Sequence, residues 1–248
     1  MAARGPGSNV QWICGSLTCR AIVAVVAHLL PGSRDPREVP VRALAALLAP
    51  PLCMGCGAHA GAAEPLCSLC RMELRWLADV VETGGVRVFA PLAYEGPARA
   101  MVRALKFRGA TLAAETMAAQ IVAGAPPGVL DHGVLVPVPL HPRRLRRRGF
   151  NQADRLAAAL SRRTGLRVAD CLRRTGRART QVGRDRAERL AGVHGSVLAR
   201  SDTDAPRRAI LVDDVVTTGA TLAACAWALR AAGALEIGAV AYARTPGR

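Results

Sequence analysis

The chain has 248 residues, 51% of them hydrophobic, and a formal net charge of +16 from 34 basic and 18 acidic side chains. That is apolar content for one sizeable core with a small appendage, and eight cysteines are too few for a disulfide scaffold. Lys106 is the only lysine, so the charge is almost wholly arginine; so uniform a choice reflects composition as well as binding, and net charge alone does not identify a nucleic-acid partner.

Residues 1–40 read as an extension, disordered in the simplest case. Its apolar run, Ala21 to Leu30, has ten residues, whereas a bilayer span needs about 20. No cleavage signal follows it, so a soluble cytoplasmic protein is the expectation. Cys14 and Cys19 have no second pair nearby and read as incidental thiols. Val41 to Leu48 has the spacing of a short amphipathic helix. Next come Cys53-x2-Cys56, ten intervening residues and Cys67-x2-Cys70. Two such knuckles supply four thiolates in tetrahedral geometry, which suits zinc, whereas a redox motif needs one CxxC at a helix start. Four thiolates leave no open coordination position, so the metal should be structural. The knuckle module is expected over 41–82. Arg71 to Val81 reads as helical, and Thr83-Gly84-Gly85 as the boundary to a second domain, 83–248.

Val86 to Tyr94 reads as a strand. Gly96-Pro97 opens a helix through Phe107, with Met101, Val102 and Leu105 on one face and Lys106 a solvated charge at its end. Val134 to Pro139 is a further strand, and Arg143 to Gln152 a basic loop on a strand-to-helix crossover. Such loops lie at the carboxyl edge of a parallel sheet, where α/β proteins bind ligands, and arginine suits a pyrophosphate there by its bidentate geometry. From Arg143 to Arg189 there are 16 arginines and four acids in 47 residues, so most of the excess charge lies beside this loop.

Ala209 to Val212 is a buried strand ending in two carboxylates, Asp213 and Asp214. Thr217, Thr218, Gly219, Ala220 and Thr221 form a hydroxyl-rich turn, and Leu222 to Ala232 a helix. Backbone N–H groups, hydroxyls and a helix N-terminus together hold a phosphate, and the two acids can accept from vicinal hydroxyls or face a magnesium ion. The ligand this implies is a phosphorylated sugar. A response-regulator receiver is excluded by length, because only 34 residues follow Asp214. No GxxxxGK[ST] occurs, which excludes a P-loop. Ile237 to Tyr242 reads as the last strand.

DDVVTTGAT closely resembles the 5-phosphoribosyl-1-pyrophosphate (PRPP) motif of type I phosphoribosyltransferases. The resemblance implies Asp213 and Asp214 on the ribose 2′ and 3′ hydroxyls and Thr217 to Thr221 on the 5′-phosphate. The two CxxC knuckles, YEGP…LKFRG, VPVPLHPRRLRRRGFNQ and RTQVGRDRAERLAGVHGS, followed by that motif, resemble the ComF family of phosphoribosyltransferase-like competence proteins over about residues 41–245. That likeness implies a parallel α/β sheet of phosphoribosyltransferase type behind a zinc knuckle. It also implies a pyrophosphate loop with Arg148, Gly149, Asn151 and Gln152, and a mobile loop with Arg174, Gln181 and Arg189. Gly192 stands where the family usually has Asn, and Val197 where it has Phe, which bears on how that loop packs.

Two functions follow. In one, an enzyme binds Mg²⁺-PRPP and transfers its phosphoribosyl group to an acceptor that the sequence does not name, with Asp213, Asp214 and Arg148 at the chemistry. In the other, a non-catalytic module binds single-stranded DNA during uptake, using the phosphate site and the basic rim. Aromatic stacking platforms are scarce for that role, Phe150 being the only aromatic between Arg143 and Arg189.

Overall fold

A computed structural model describes residues 52–61, 64–108, 111–175 and 196–246. The elements in chain order are α1 (Ser68–Met72), β1 (Val80–Thr83), β2 (Val86–Phe89), β3 (Leu92–Ala93), α2 (Gly96–Arg108), α3 (Thr111–Gly124), β4 (Val134–Pro137), α4 (Pro142–Arg148), α5 (Gln152–Thr164), β5 (Arg167–Val168), β6 (Leu172–Arg174), β7 (Val197–Ala199), β8 (Arg208–Val216), α6 (Ala220–Ala231) and β9 (Glu236–Arg244). Among the described residues the sheet has seven strands in the order β1-β2-β9-β8-β4-β5, with β3 also on β9. Every pairing in it is parallel except β1 with β2. This is the parallel α/β sheet expected from the sequence.

The two long central strands, β8 and β9, read as near-continuous apolar runs because both faces are covered. On one face Phe89, Leu135, Ile210, Val212 and Tyr242 pack with buried residues of α2, α3 and α5, including Met101, Val102 and Leu105. On the other Val88, Val136, Leu211 and Ala241 pack with α6 and with the β6-β7 pair, where Val197 is fully buried. The last strand of the chain therefore lies inside the sheet. No described helix is long and apolar enough to cross a membrane.

Three local expectations change. The helix expected over Arg71 to Val81 is only the five-residue α1. Beyond it the chain runs extended, because Leu77 donates to the Pro91 carbonyl (2.7 Å) and Ala93 to that of Arg75 (3.0 Å), and Val80 and Val81 enter β1. Sheet pairing there overrides helical spacing. Thr83-Gly84-Gly85 forms the tight turn of the β1-β2 hairpin, with Gly84 and Gly85 at φ 60° and 70°. The acids do not follow their strand. Strand β8 continues to Val216, since Val215 and Val216 pair with Ala243 and Arg244 of the equally long β9.

Candidate functional site

Gly219, at φ 71°, is the N-cap of α6 and makes no side-chain capping bond, so the first N–H groups of the helix are free to meet an anion. Asp213 and residues Val215 to Leu222 line a cradle of about 40 Å³ there. The cradle leans on the β1-β2 turn: Thr83 Oγ1 donates to the Thr218 carbonyl at 3.3 Å. A Cβ on Gly219 would lie 2.5 Å from Thr83 Oγ1, and one on Gly84 would lie 2.7 Å from the Gly219 carbonyl oxygen. Two glycines 135 residues apart thus pack back to back, and the hairpin fixes the height of the phosphate loop. The close neighbour that requires glycine at 219 is this turn.

Beside the cradle, Asp214 is 6% exposed and its Oδ2 lies 2.9 Å from Lys106 Nζ. Lys106 is therefore a member of the site and not a solvated helix end. Nothing in the sequence pairs residues 106 and 214; the contact follows from α2 packing across the end of β8. Burial first, then the charge of Asp214, pushes the Asp213 carboxyl well above the usual carboxylate range, and Lys106 offsets this only in part. The folded ligand-free chain then holds a proton that the unfolded chain releases. Its stability should fall as pH rises from the ordinary carboxylate range towards the raised value, and Asp213→Asn should flatten that slope in urea titrations at several pH values. Asp213 is the cleaner handle on the pair, because Asp214→Asn would strand the mostly buried ammonium of Lys106, at a cost on the order of 3 kcal/mol.

The expected basic loop is helix α4 with short flanks. Pro142 stands at its start, His141 Nδ1 accepts from Arg143 N at 3.2 Å, and Gly149 closes it in the left-handed region at φ 77°. Its four-residue spacing turns Arg144 and Arg148 to one side. With Lys106, Gln152, Arg174, Asp213, Asp214 and Thr221 they line a cavity of about 200 Å³. Arg143, Arg146 and Arg147 are exposed. Gly149 is a helix stop, and Asn151 caps α5: its Oδ1 accepts from Ala153 N at 3.3 Å, and its amide donates to the Val138 carbonyl and to Asp154. Gln152, 3% exposed, accepts from Arg148 Nη1 at 2.9 Å. Gln152 Nε2 and Arg148 Nε are buried donors without a partner among the described residues. Each such group costs about 1–3 kcal/mol until an acceptor arrives, so the cavity suits a ligand rich in oxygens. Gln181, Arg189 and Gly192 lie outside the described residues.

The sulfurs of Cys53, Cys56, Cys67 and Cys70 all lie within 4.8 Å of one another, Cys56 and Cys67 at 3.7 Å. Sulfurs of a tetrahedral zinc thiolate site are about 3.8 Å apart, as bonds of about 2.3 Å require. A Cβ on Gly55 would lie 2.8 Å from Cys70 Sγ, so only glycine lets the knuckle close. Burial opposes the Cys53 thiolate, but N–H groups of Cys56, Cys67 and Gly55 outweigh it and bring its pKa to about 6. Burial and the other thiols push Cys70 up. The donor set fits a structural metal.

No family model matches the chain. It is 31% identical to competence protein F of Haemophilus influenzae over 202 residues, 75% of this chain and 87% of that one. It is 34% identical to competence protein ComFC of Streptococcus pneumoniae over 102 residues, 41% of this chain and 44% of that one. Among solved structures, the glutamine PRPP amidotransferase of B. subtilis, complexed with ADP and GMP, overlaps 52% of this chain and 26% of its own, at 21% identity and TM-score 0.36. An allosteric regulatory enzyme of purine biosynthesis gives 24% identity, 52% and 24% coverage, and TM-score 0.34.

Proposed function

Because the chain belongs to the competence protein F family, we propose that it binds Mg²⁺-PRPP across the carboxyl edge of the sheet and transfers its phosphoribosyl group to an acceptor. The observation that carries this reading is the placement, side by side, of a cavity holding an acid pair and two unpartnered buried donors and a cradle at an uncapped helix N-terminus, with Asp213 and Thr221 lining both. In this reading Asp213 and Asp214 take the ribose hydroxyls and Thr217 to Thr221 the 5′-phosphate. Arg148, Arg144 and Gln152 Nε2 take the pyrophosphate, Asn151 lines the same cavity, and Gly149 shapes the loop. Arg174 reaches the cavity from β6, at the base of the segment that carries Gln181 and Arg189. Magnesium would neutralise the leaving pyrophosphate, and Asp213 is the side chain of this chain that would hold it. Rate acceleration then comes from positioning and from charge on the leaving group. Cys53, Cys56, Cys67 and Cys70 hold one structural zinc.

Single-stranded DNA binding in competence is the second reading, favoured by the exposed outer side of α4. Arg143, Arg146 and Arg147 point away from the cavity, so replacing all three by alanine should leave PRPP affinity unchanged. The slope of log K against log salt for a single strand should flatten by about 2, at about 0.7 per phosphate contact. Parallel titrations of PRPP and an oligonucleotide decide between the readings. Loss of PRPP in that triple variant would make these arginines pyrophosphate ligands and remove the outer rim as a DNA surface.

A further inference from the structure

A groove of about 730 Å³ lies between the cysteine module and α2, walled by Leu52, Met54 and Gly55 on one side and by Arg99, Arg103 and Phe107 on the other. Neither proposed reading uses it. Arg99, Arg103 and Phe107 recur every four residues along α2, about 6 Å apart, and so form one stripe. Arg99 and Arg103 are exposed and form no ion pair with the described acids. Like charges at that spacing disfavour the helix unless an anion lies between them. Phe107 is 68% exposed, an unusual setting for a chain with only 3% aromatic residues. The Arg148 guanidinium lies 5.6 Å from its ring centroid, so the groove and the cavity lined by Arg148 meet at this ring. An aromatic face beside two unpaired guanidiniums matches a base linked to a phosphate: the ring stacks the base and the arginines hold the charge.

We propose that this groove is a nucleotide-binding subsite, in which the base stacks on Phe107 and the phosphate is held by Arg103 and Arg99. The same chemistry is offered by a free mononucleotide and by the 5′-phosphorylated end of a single strand. The subsite shares no lining residue with the phosphate cradle and meets the pyrophosphate cavity only where Arg148 lies against the Phe107 ring.

The test titrates adenosine 5′-monophosphate and a 5′-phosphorylated oligodeoxyadenylate into the full chain, followed by calorimetry. Phe107→Ala and Arg103→Glu should each weaken binding about ten-fold or more, and neither should disturb the fold, since both positions are exposed. Phe107→Trp should retain affinity and show fluorescence quenching as the base stacks. Monophosphate binding with this dependence identifies the free nucleotide as the ligand; binding by the oligonucleotide alone, with the same dependence, identifies a strand end. A nucleotide that survives Phe107→Ala and is lost in Gly219→Val occupies the phosphate cradle and overturns the proposal. So does failure of both probes to bind.

Discussion

Gly219→Val is expected to abolish PRPP binding, and Gly84→Ala to weaken it by at least about ten-fold, although residue 84 touches no ligand. At Gly219 a β-branched side chain would have to adopt φ 71° with its Cβ 2.5 Å from Thr83 Oγ1 and 3.0 Å from the Thr83 carbonyl carbon. Either the loop or the hairpin must move, and the first-turn N–H groups of α6 move with the loop. At Gly84 a Cβ would stand 2.7 Å from the Gly219 carbonyl oxygen and 3.1 Å from Ala223 Cβ, so the same displacement is driven from the other side. The left-handed backbone adds about 1 kcal/mol to each substitution, too little to unfold the protein by itself. The Gly84 variant is informative because a glycine kept only for contact with phosphate would make residue 84 irrelevant. Thr83→Val, which removes the hydroxyl donated to the Thr218 carbonyl and keeps the shape, should show a smaller loss in the same direction. Affinities from calorimetry, with circular dichroism to establish folding, provide the check.

Loss of any one knuckle thiolate is expected to cost the module its metal and its fold. From Leu52 to Met72 the buried side chains among the described residues are Cys53, Ala60, Pro65, Leu66 and Cys70, of which only Leu66 is a large aliphatic. Metal binding at a four-thiolate site contributes on the order of 10 kcal/mol, far more than those contacts supply. Cys67→Ser should therefore lower zinc content from one per chain to none and open the segment from Leu52 to Met72 to proteolysis. Without metal, Cys70 holds its proton well above neutrality while Cys53 titrates near 6. Metal uptake at pH 7 thus releases protons, and affinity should fall as pH is lowered. Atomic absorption on purified protein checks the first outcome, and unchanged metal content in Cys67→Ser would overturn it.

The motif and the knuckle were legible because each is local. Two CxxC pairs at their spacing, or a strand, two acids and a TTGAT turn, carry their chemistry within about twenty residues. What escaped was contact between distant segments. Lys106 reads as a helix-end charge until α2 is laid against β8, and Gly84 as a linker until its hairpin meets Gly219. The error over Arg71 to Val81 has the same origin, since helical spacing was overridden by pairing with residues near Pro91. In the basic stretch the short helix was legible in principle: proline at its start, a capping side chain before it and glycine after it are all in the sequence. The weight of its arginines hid that pattern, and with it the division between Arg144 and Arg148, which face the cavity, and Arg143, Arg146 and Arg147, which do not.

The direct measurement is a calorimetric titration of PRPP into the wild-type chain and into Asp213→Asn, each with and without Mg²⁺. Asparagine keeps an oxygen that can accept from Asp214 N, as Asp213 Oδ1 does at 2.8 Å, so the variant should fold. The expected result is one site per chain in the wild type, dependent on Mg²⁺ and lost in the variant. A wild-type chain that gives no heat with PRPP and Mg²⁺, or a folded Asp213→Asn that binds as tightly as wild type, would contradict it.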